Sequence, residues 1–125
     1  METRSVAKLI TALLFMLNVF QLSAQKKHLS TPQEVEAEIH SILNAQVLEE
    51  GSSLYKLKHK KELEGTYIID ISINDKSQVI SVFIVENNGG TTDGQVLLKD
   101  VLIDSKFKFK VPKGKRYKVR HTFIF

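Results

Sequence analysis

The sequence predicts an α+β sandwich of two layers. Three observations carry that reading. A capped helical stripe begins at Thr31, two β-branched runs flank an Asn/Asp turn near residue 75, and an aromatic alternation closes the chain. Hydrophobic residues at 42% and charged residues at 26% suit an ordinary folded domain with a core of its own.

The first helix is expected from Thr31-Pro32-Gln33-Glu34. Thr31 caps, Pro32 takes the first helical position where its missing N–H costs nothing, and Glu34 completes a capping box. Val35, Ile39, Ile42, Leu43 and Val47 recur at helical spacing, and Glu49 to Ser53 closes the element. Leu54 to Glu64 fits either a short edge strand or an extended connection, with lysines that deter edge pairing. Gly65 to Ile73 is a strand, Asn74 to Ser77 a turn and Gln78 to Val85 the return strand of a hairpin.

Asn87 to Gly94 is a flexible glycine loop whose spacing matches no phosphate-binding motif. Helical spacing returns from Gln95 to Asp104, with Val96, Leu97, Leu98, Val101 and Leu102 expected to face inward. Phe107, Phe109 and Val111 alternate with Lys106, Lys108 and Lys110 in an extended segment, and Pro112 to Lys115 turns the chain. In the last strand, Tyr117, Val119, His121, Phe123 and Phe125 share one face, and Lys118, Arg120, Thr122 and Ile124 the other.

Ahead of this domain stands a different kind of sequence. Arg4 and Lys8 precede an apolar run from Leu9 to Phe20, followed by Ser23-Ala24 and then Gln25-Lys26-Lys27. That layout is a secretory signal peptide over residues 1–24, so the protein is expected to be exported to a periplasm or cell envelope. A retained anchor is the alternative, although a run of about 12 to 15 residues falls short of the roughly 20 that span a bilayer. The absence of cysteine excludes disulfides, thiolate metal sites and lipid attachment through a thiol.

The formal charge is +4; residues 1–24 hold one acid and two bases, so their removal leaves +3. Eight basic residues and no acid lie between Lys106 and Arg120. Their alternation with aromatic residues places rings and charges on opposite faces, so the rings are expected in the core and no nucleic acid is expected as a partner. His28, His40, His59 and His121 are far apart, without metal-ligand spacing, and no nucleophile elbow, zinc-protease helix or phosphate loop occurs. The expectation is a non-enzymatic protein with no catalytic residues, cofactor or metal.

Residues Gly65 to Ile80, the later helix, Phe107-Lys108-Phe109-Lys110-Val111-Pro112, the Gly114 turn and the terminal Phe123-Ile124-Phe125 together resemble a TonB C-terminal domain. The resemblance covers about half the chain. It implies a β–β–α–β order with an antiparallel three-stranded sheet over residues 65–125, preceded by an N-terminal helix and connection over 25–64. It also implies a Gram-negative periplasmic setting and binding of an outer-membrane protein by strand addition.

The chain departs from the family in lacking a long membrane helix and a Pro-rich spacer, since Pro32 and Pro112 are its two prolines. The expected function is therefore an exported protein-binding module. The alternatives are a membrane-anchored minimal energy transducer or a small ligand-pocket protein. The expected partner-binding residues are Lys113, Lys115, Arg116, Lys118, Val119, Arg120 and Thr122, with Val119→Pro as the probe of an outward amide. An envelope or outer-membrane protein is the expected partner. Membrane contact is expected only through an uncleaved N-terminus, and a homo-oligomer would form through an edge strand.

Overall fold

A computed structural model describes residues 26–125, so the expected leader lies outside the described residues. The elements run α1 (Pro32–Leu48), α2 (Ser53–His59), β1 (Thr66–Ile73), β2 (Val79–Asn88), α3 (Thr92–Ile103) and β3 (Tyr117–Ile124). The fold is α+β, with an antiparallel three-stranded sheet in the order β2-β1-β3. Among the described residues no helix is long and apolar enough to cross a membrane.

The capping box at α1 forms as its residues dictate. Thr31 Oγ1 accepts from the Glu34 amide at 3.2 Å, and the Ser30 amide donates to Glu34 Oε2 at 3.1 Å. Val35, Ile39 and Leu43, each one helical turn after the last, are fully buried; Ile42 and Val47 flank them half-buried.

The segment after α1 is neither an edge strand nor an extended connection but the helix α2. Ser52 decides this. Its hydroxyl accepts from the Tyr55 amide at 3.1 Å and donates to the Gln46 carbonyl, so it both caps α2 and ties it to α1. Leu54 is buried on one side, and Tyr55 stacks on His59 one turn later, with ring centroids 3.9 Å apart. Lys56, Lys58 and His59 fall in the last turn, where positive charge complements the helix dipole. The apparent alternation of Tyr55-Lys56-Leu57-Lys58 was overridden by a cap and a tertiary contact.

β1 is the central strand, and its side chains divide by parity. Tyr67, Ile69, Ile71 and Ile73 face the helices with no exposed surface. Thr66, Ile68, Asp70 and Ser72 face the opposite side, which carries no helix among the described residues. Its neighbours there, Phe83 and Ile124, are 64% and 73% exposed.

β2 extends past the expected Val85 to Asn88, and α3 starts at Thr92, so the glycine loop is shorter than its composition suggests. In α3 the buried stripe is Gly94, Leu98 and Leu102. Val96, expected inward, is 52% exposed because it lies half a turn from that stripe.

Residues 106–111 are extended but belong to no named strand. They are held by single bridges from Lys106 to Gln78 and from Lys110 to His28. The Ser77 hydroxyl donates to the Phe109 carbonyl at 2.7 Å, and Phe107 and Phe109 are buried with stacked rings. One hydrophobic cluster joins Leu29, Val35, Ile39, Leu43, Leu54 and Leu63 to the sheet, so segments 25–64 and 65–125 share a core.

The molecule has two distinct ends. The turn end gathers Asn74 to Gln78, residues 105–116 and the lead-in at Lys27 to Leu29. The glycine end gathers Gly65, Gly89 and Gly90, and brings Gly94 against the Glu62 carbonyl. Gly65 is required there: its φ is +88°, and a Cβ would lie 2.5 Å from the Asn88 carbonyl oxygen.

Candidate functional site

β3 forms one edge of the sheet and pairs with β1 over eight residues without a register shift. The Phe125 amide donates to the Gly65 carbonyl at 3.0 Å, which fixes which groups point where. Antiparallel pairing alternates, so Tyr117, Val119, His121 and Phe123 turn their amides toward β1. Lys118, Arg120, Thr122 and Ile124 turn theirs outward, away from the sheet. β2, the other edge, pairs with two register shifts and is accompanied by α3.

This alternation corrects the sequence-derived view of Val119. Its side chain is buried in the core and its amide faces β1, so it offers nothing at the edge. Lys113, Lys115 and Arg116 lie exposed in the turn before β3, where Gly114 has φ +76° and donates its amide to Asp75 Oδ2 at 3.0 Å. Thr122 is exposed on the open face. A groove of about 380 Å³ runs between the start of α1 and the start of β3, lined by Ser30, Pro32, Glu36 and residues 115–119.

Lys118 and Arg120 are brought together on a partner that sequence reasoning missed, Asp70. Arg120 grips both carboxylate oxygens, Nε to Oδ1 at 2.9 Å and Nη2 to Oδ2 at 3.1 Å, and Lys118 Nζ stands 3.6 Å from Oδ2. Asp70 sits at the centre of the open face and is 5% exposed. The hydrogen bond from Arg120, with the charges of Arg120 and Lys118, holds its carboxyl below the ordinary value of 3.8 against the cost of burial. The signal for it was a single acid inside a run of isoleucines, paired across β1 and β3 with cations about 50 residues later in a register that spacing alone does not give.

A depressed carboxyl pKa means that the unfolded chain takes up a proton first as the pH falls. The stabilisation by Asp70 is therefore present in full above about pH 3.8 and disappears as pH drops through the lower folded value. Asp70→Asn is expected to lower the urea midpoint at neutral pH and to lose that deficit in acid. Curves that stay parallel down to pH 2 would remove Asp70 from this role.

A second pair is hidden by sequence distance. His40 on α1 and His121 on β3 meet with Nδ1 atoms 2.7 Å apart and stacked rings. Glu36 Oε1 lies 3.4 Å from His40 Nε2. A carboxylate only accepts, so His40 Nε2 carries the proton, its Nδ1 accepts, and His121 Nδ1–H donates. The chain of bonds ends at His121 Nε2, which is buried and has no partner among the described residues. Burial first, and then the charge of His40, lower the His121 pKa to about 4. The pair joins α1 to β3 through side chains.

The glycine loop is also explained by packing. The Tyr67 hydroxyl, fully buried, fills the space that side chains at Gly90 and Gly94 would occupy. Among the described residues no group of three His, Cys, Asp or Glu is arranged to hold a metal. The chain matches no protein-family model, no curated protein and no solved structure.

Proposed function

We propose that this protein is an exported, non-enzymatic binding module of the Gram-negative cell envelope, resembling the TonB C-terminal domain in its β–β–α–β arrangement. In this reading it takes an extended segment of an envelope or outer-membrane protein onto the free edge of β3. The observation that supports it is the outward row of backbone groups at Lys118, Arg120, Thr122 and Ile124 on a strand with unbroken register. An added strand gains main-chain hydrogen bonds from that row, and its alternate side chains meet the open face beside Lys118, Arg120, Thr122 and Ile124. The bidentate Asp70–Arg120 pair stiffens the same strand from its exposed side.

The edge is tested with a substitution that removes one outward amide and little else. Thr122→Pro deletes a donor at an edge position that tolerates proline, whereas Thr122→Ala keeps it. After chemical crosslinking in an envelope extract, the wild type and Thr122→Ala are expected to retain the same captured proteins. Thr122→Pro is expected to lose most of them, at least tenfold by quantitative mass spectrometry, as follows from one lost main-chain bond and a disrupted ladder. Undiminished capture by a Thr122→Pro protein with wild-type melting would sink the edge model.

A further inference from the structure

The basic residues between Lys106 and Arg120 are not used alike. Lys118 and Arg120 are committed to Asp70. Lys106, Lys108, Lys110, Lys113, Lys115 and Arg116 are exposed, and none forms an ion pair among the described residues. All six belong to the turn end. Lys106 is bridged to Gln78, Lys110 to His28, and the 112–116 turn is tied to Asp75 through Gly114. Phe107 and Phe109 point inward at 4% exposure, so Lys106, Lys108 and Lys110, which alternate with them, are presented outward together.

The N-terminal lead-in enters the fold at this same end. The Lys110 amide donates to the Lys27 carbonyl at 2.8 Å, and the Leu29 amide to the Lys110 carbonyl at 2.8 Å. Leu22, one polar residue beyond the apolar run that ends at Phe20, stands five residues before Lys27. Five residues span at most roughly 18 Å when fully extended. While that run occupies a bilayer, during export or as an anchor, the cationic end is held within about two Debye lengths of the headgroups. The chain thus delivers this unpaired block of positive charge, rather than the lysines around α2, to the place where a membrane surface is.

We infer that the turn end of the domain is a docking surface for an anionic lipid bilayer, engaged through Lys106, Lys108 and Lys110 with help from Lys113, Lys115 and Arg116. This contact is additional to the N-terminal one expected from the sequence, and it does not depend on the β3 edge being a strand acceptor. Nucleic acid presents phosphates as well, but single-strand binders add exposed rings for base stacking, and here both interleaved rings are buried. Charge without stacking surface fits headgroups.

The experiment uses the full chain, so the apolar run is present in every sample. Partition is measured onto vesicles of phosphatidylcholine alone and of phosphatidylcholine mixed with phosphatidylglycerol, and the ratio of the two is the readout. Lys106→Gln, Lys108→Gln and Lys110→Gln together are expected to lower that ratio about tenfold, and added salt to lower the wild-type ratio in the same direction. The charge-matched control is Lys56→Gln, Lys58→Gln and Lys60→Gln around α2, a group remote in sequence from the turn end; it is expected to leave the ratio within about twofold.

Acetylation of wild-type lysines gives a second reading that needs no variant. Lys106, Lys108 and Lys110 are expected to be protected by anionic but not by neutral vesicles, while Lys56, Lys58 and Lys60 stay reactive. Equal effects of the two triple substitutions, or protection that ignores lipid charge, would overturn the inference. So would a result in which the Lys106–Lys110 variant loses single-stranded RNA binding with its lipid ratio unmoved, which would assign the surface to nucleic acid.

Discussion

Gly90→Ala is expected to cost about 1–3 kcal/mol, toward the upper end of what overpacking costs, although the backbone at this position suits alanine. The added methyl would meet the Tyr67 hydroxyl and the ring carbon that bears it, and would stand 2.5 Å from Asn87 Oδ1. Neither neighbour is free to move. The ring is fully buried at the end of β1, with Phe125 edge-on at 5.9 Å, and Asn87 Oδ1 accepts from the Gly90 amide at 2.9 Å. For a domain of this size the loss corresponds to a fall in melting temperature of roughly 10 °C.

The cause can be isolated with a second substitution. Tyr67→Phe removes a hydroxyl that has no hydrogen-bond partner among the described residues, so alone it is expected to change stability by less than about 1 kcal/mol. In the Gly90→Ala background it is expected to restore part of the loss, because the oxygen goes while the ring carbon stays. Strict additivity of the two changes would show that the glycine is needed for another reason.

The His121 substitution has the next largest expected effect, and it acts through pH. The folded ring titrates near 4, below the 6.5 of an ordinary histidine, so unfolding takes up a proton between those values. The associated stability is present in full above about pH 6.5, declines as pH falls from there, and is gone below about 4. Allowing for partial solvent screening, the swing is on the order of 2 kcal/mol. His121→Phe keeps an aromatic ring against His40 and Phe123 and removes the titration. Urea midpoints of the variant are expected to stay flat between pH 6.5 and 4 where those of the wild type fall. Equal falls in both proteins would place the proton uptake elsewhere. The Asp70 window lies lower still, so the two effects separate on one pH axis.

Elements with short-range causes were legible in the sequence. α1 announced itself through Thr31, Pro32 and Glu34, and the β1–β2 hairpin through β-branched runs around Asn74, whose Oδ1 accepts from the Lys76 and Gln78 amides at 3.0 Å. Both depend on residues a few positions apart. α2 was not legible because its decisive contact, Ser52 to Gln46, is a packing event between helices. The exposure of Val96 follows from its place half a turn away from the Gly94, Leu98 and Leu102 stripe, the face that packing chose.

The site divides along the same line. The outward set Lys118, Arg120 and Thr122 follows from strand parity, and parity also assigned the Val119 side chain to the core face. The direction of each amide depends on the hydrogen-bonding phase of the pair, which the Phe125–Gly65 bond sets and no sequence pattern records. Asp70 with Arg120, and His40 with His121, join residues 50 and 81 positions apart. Such contacts are products of topology.

The two sides of the sheet differ in a way that bears on how the protein assembles. A growing filament needs every subunit to accept a strand on one flank and to offer a matching flank to the next. Here β3 pairs in unbroken register, whereas β2 breaks register twice and packs against α3. Broken register is how natural sheets spoil a flank for pairing. If β3 takes an added strand as proposed, stacking is expected to end after one step, as a two-fold pair through β3 or as a single complex with a foreign segment. A β3 flank open to pairing is compatible with a protein that does not polymerise, because the opposite flank gives a filament nowhere to continue.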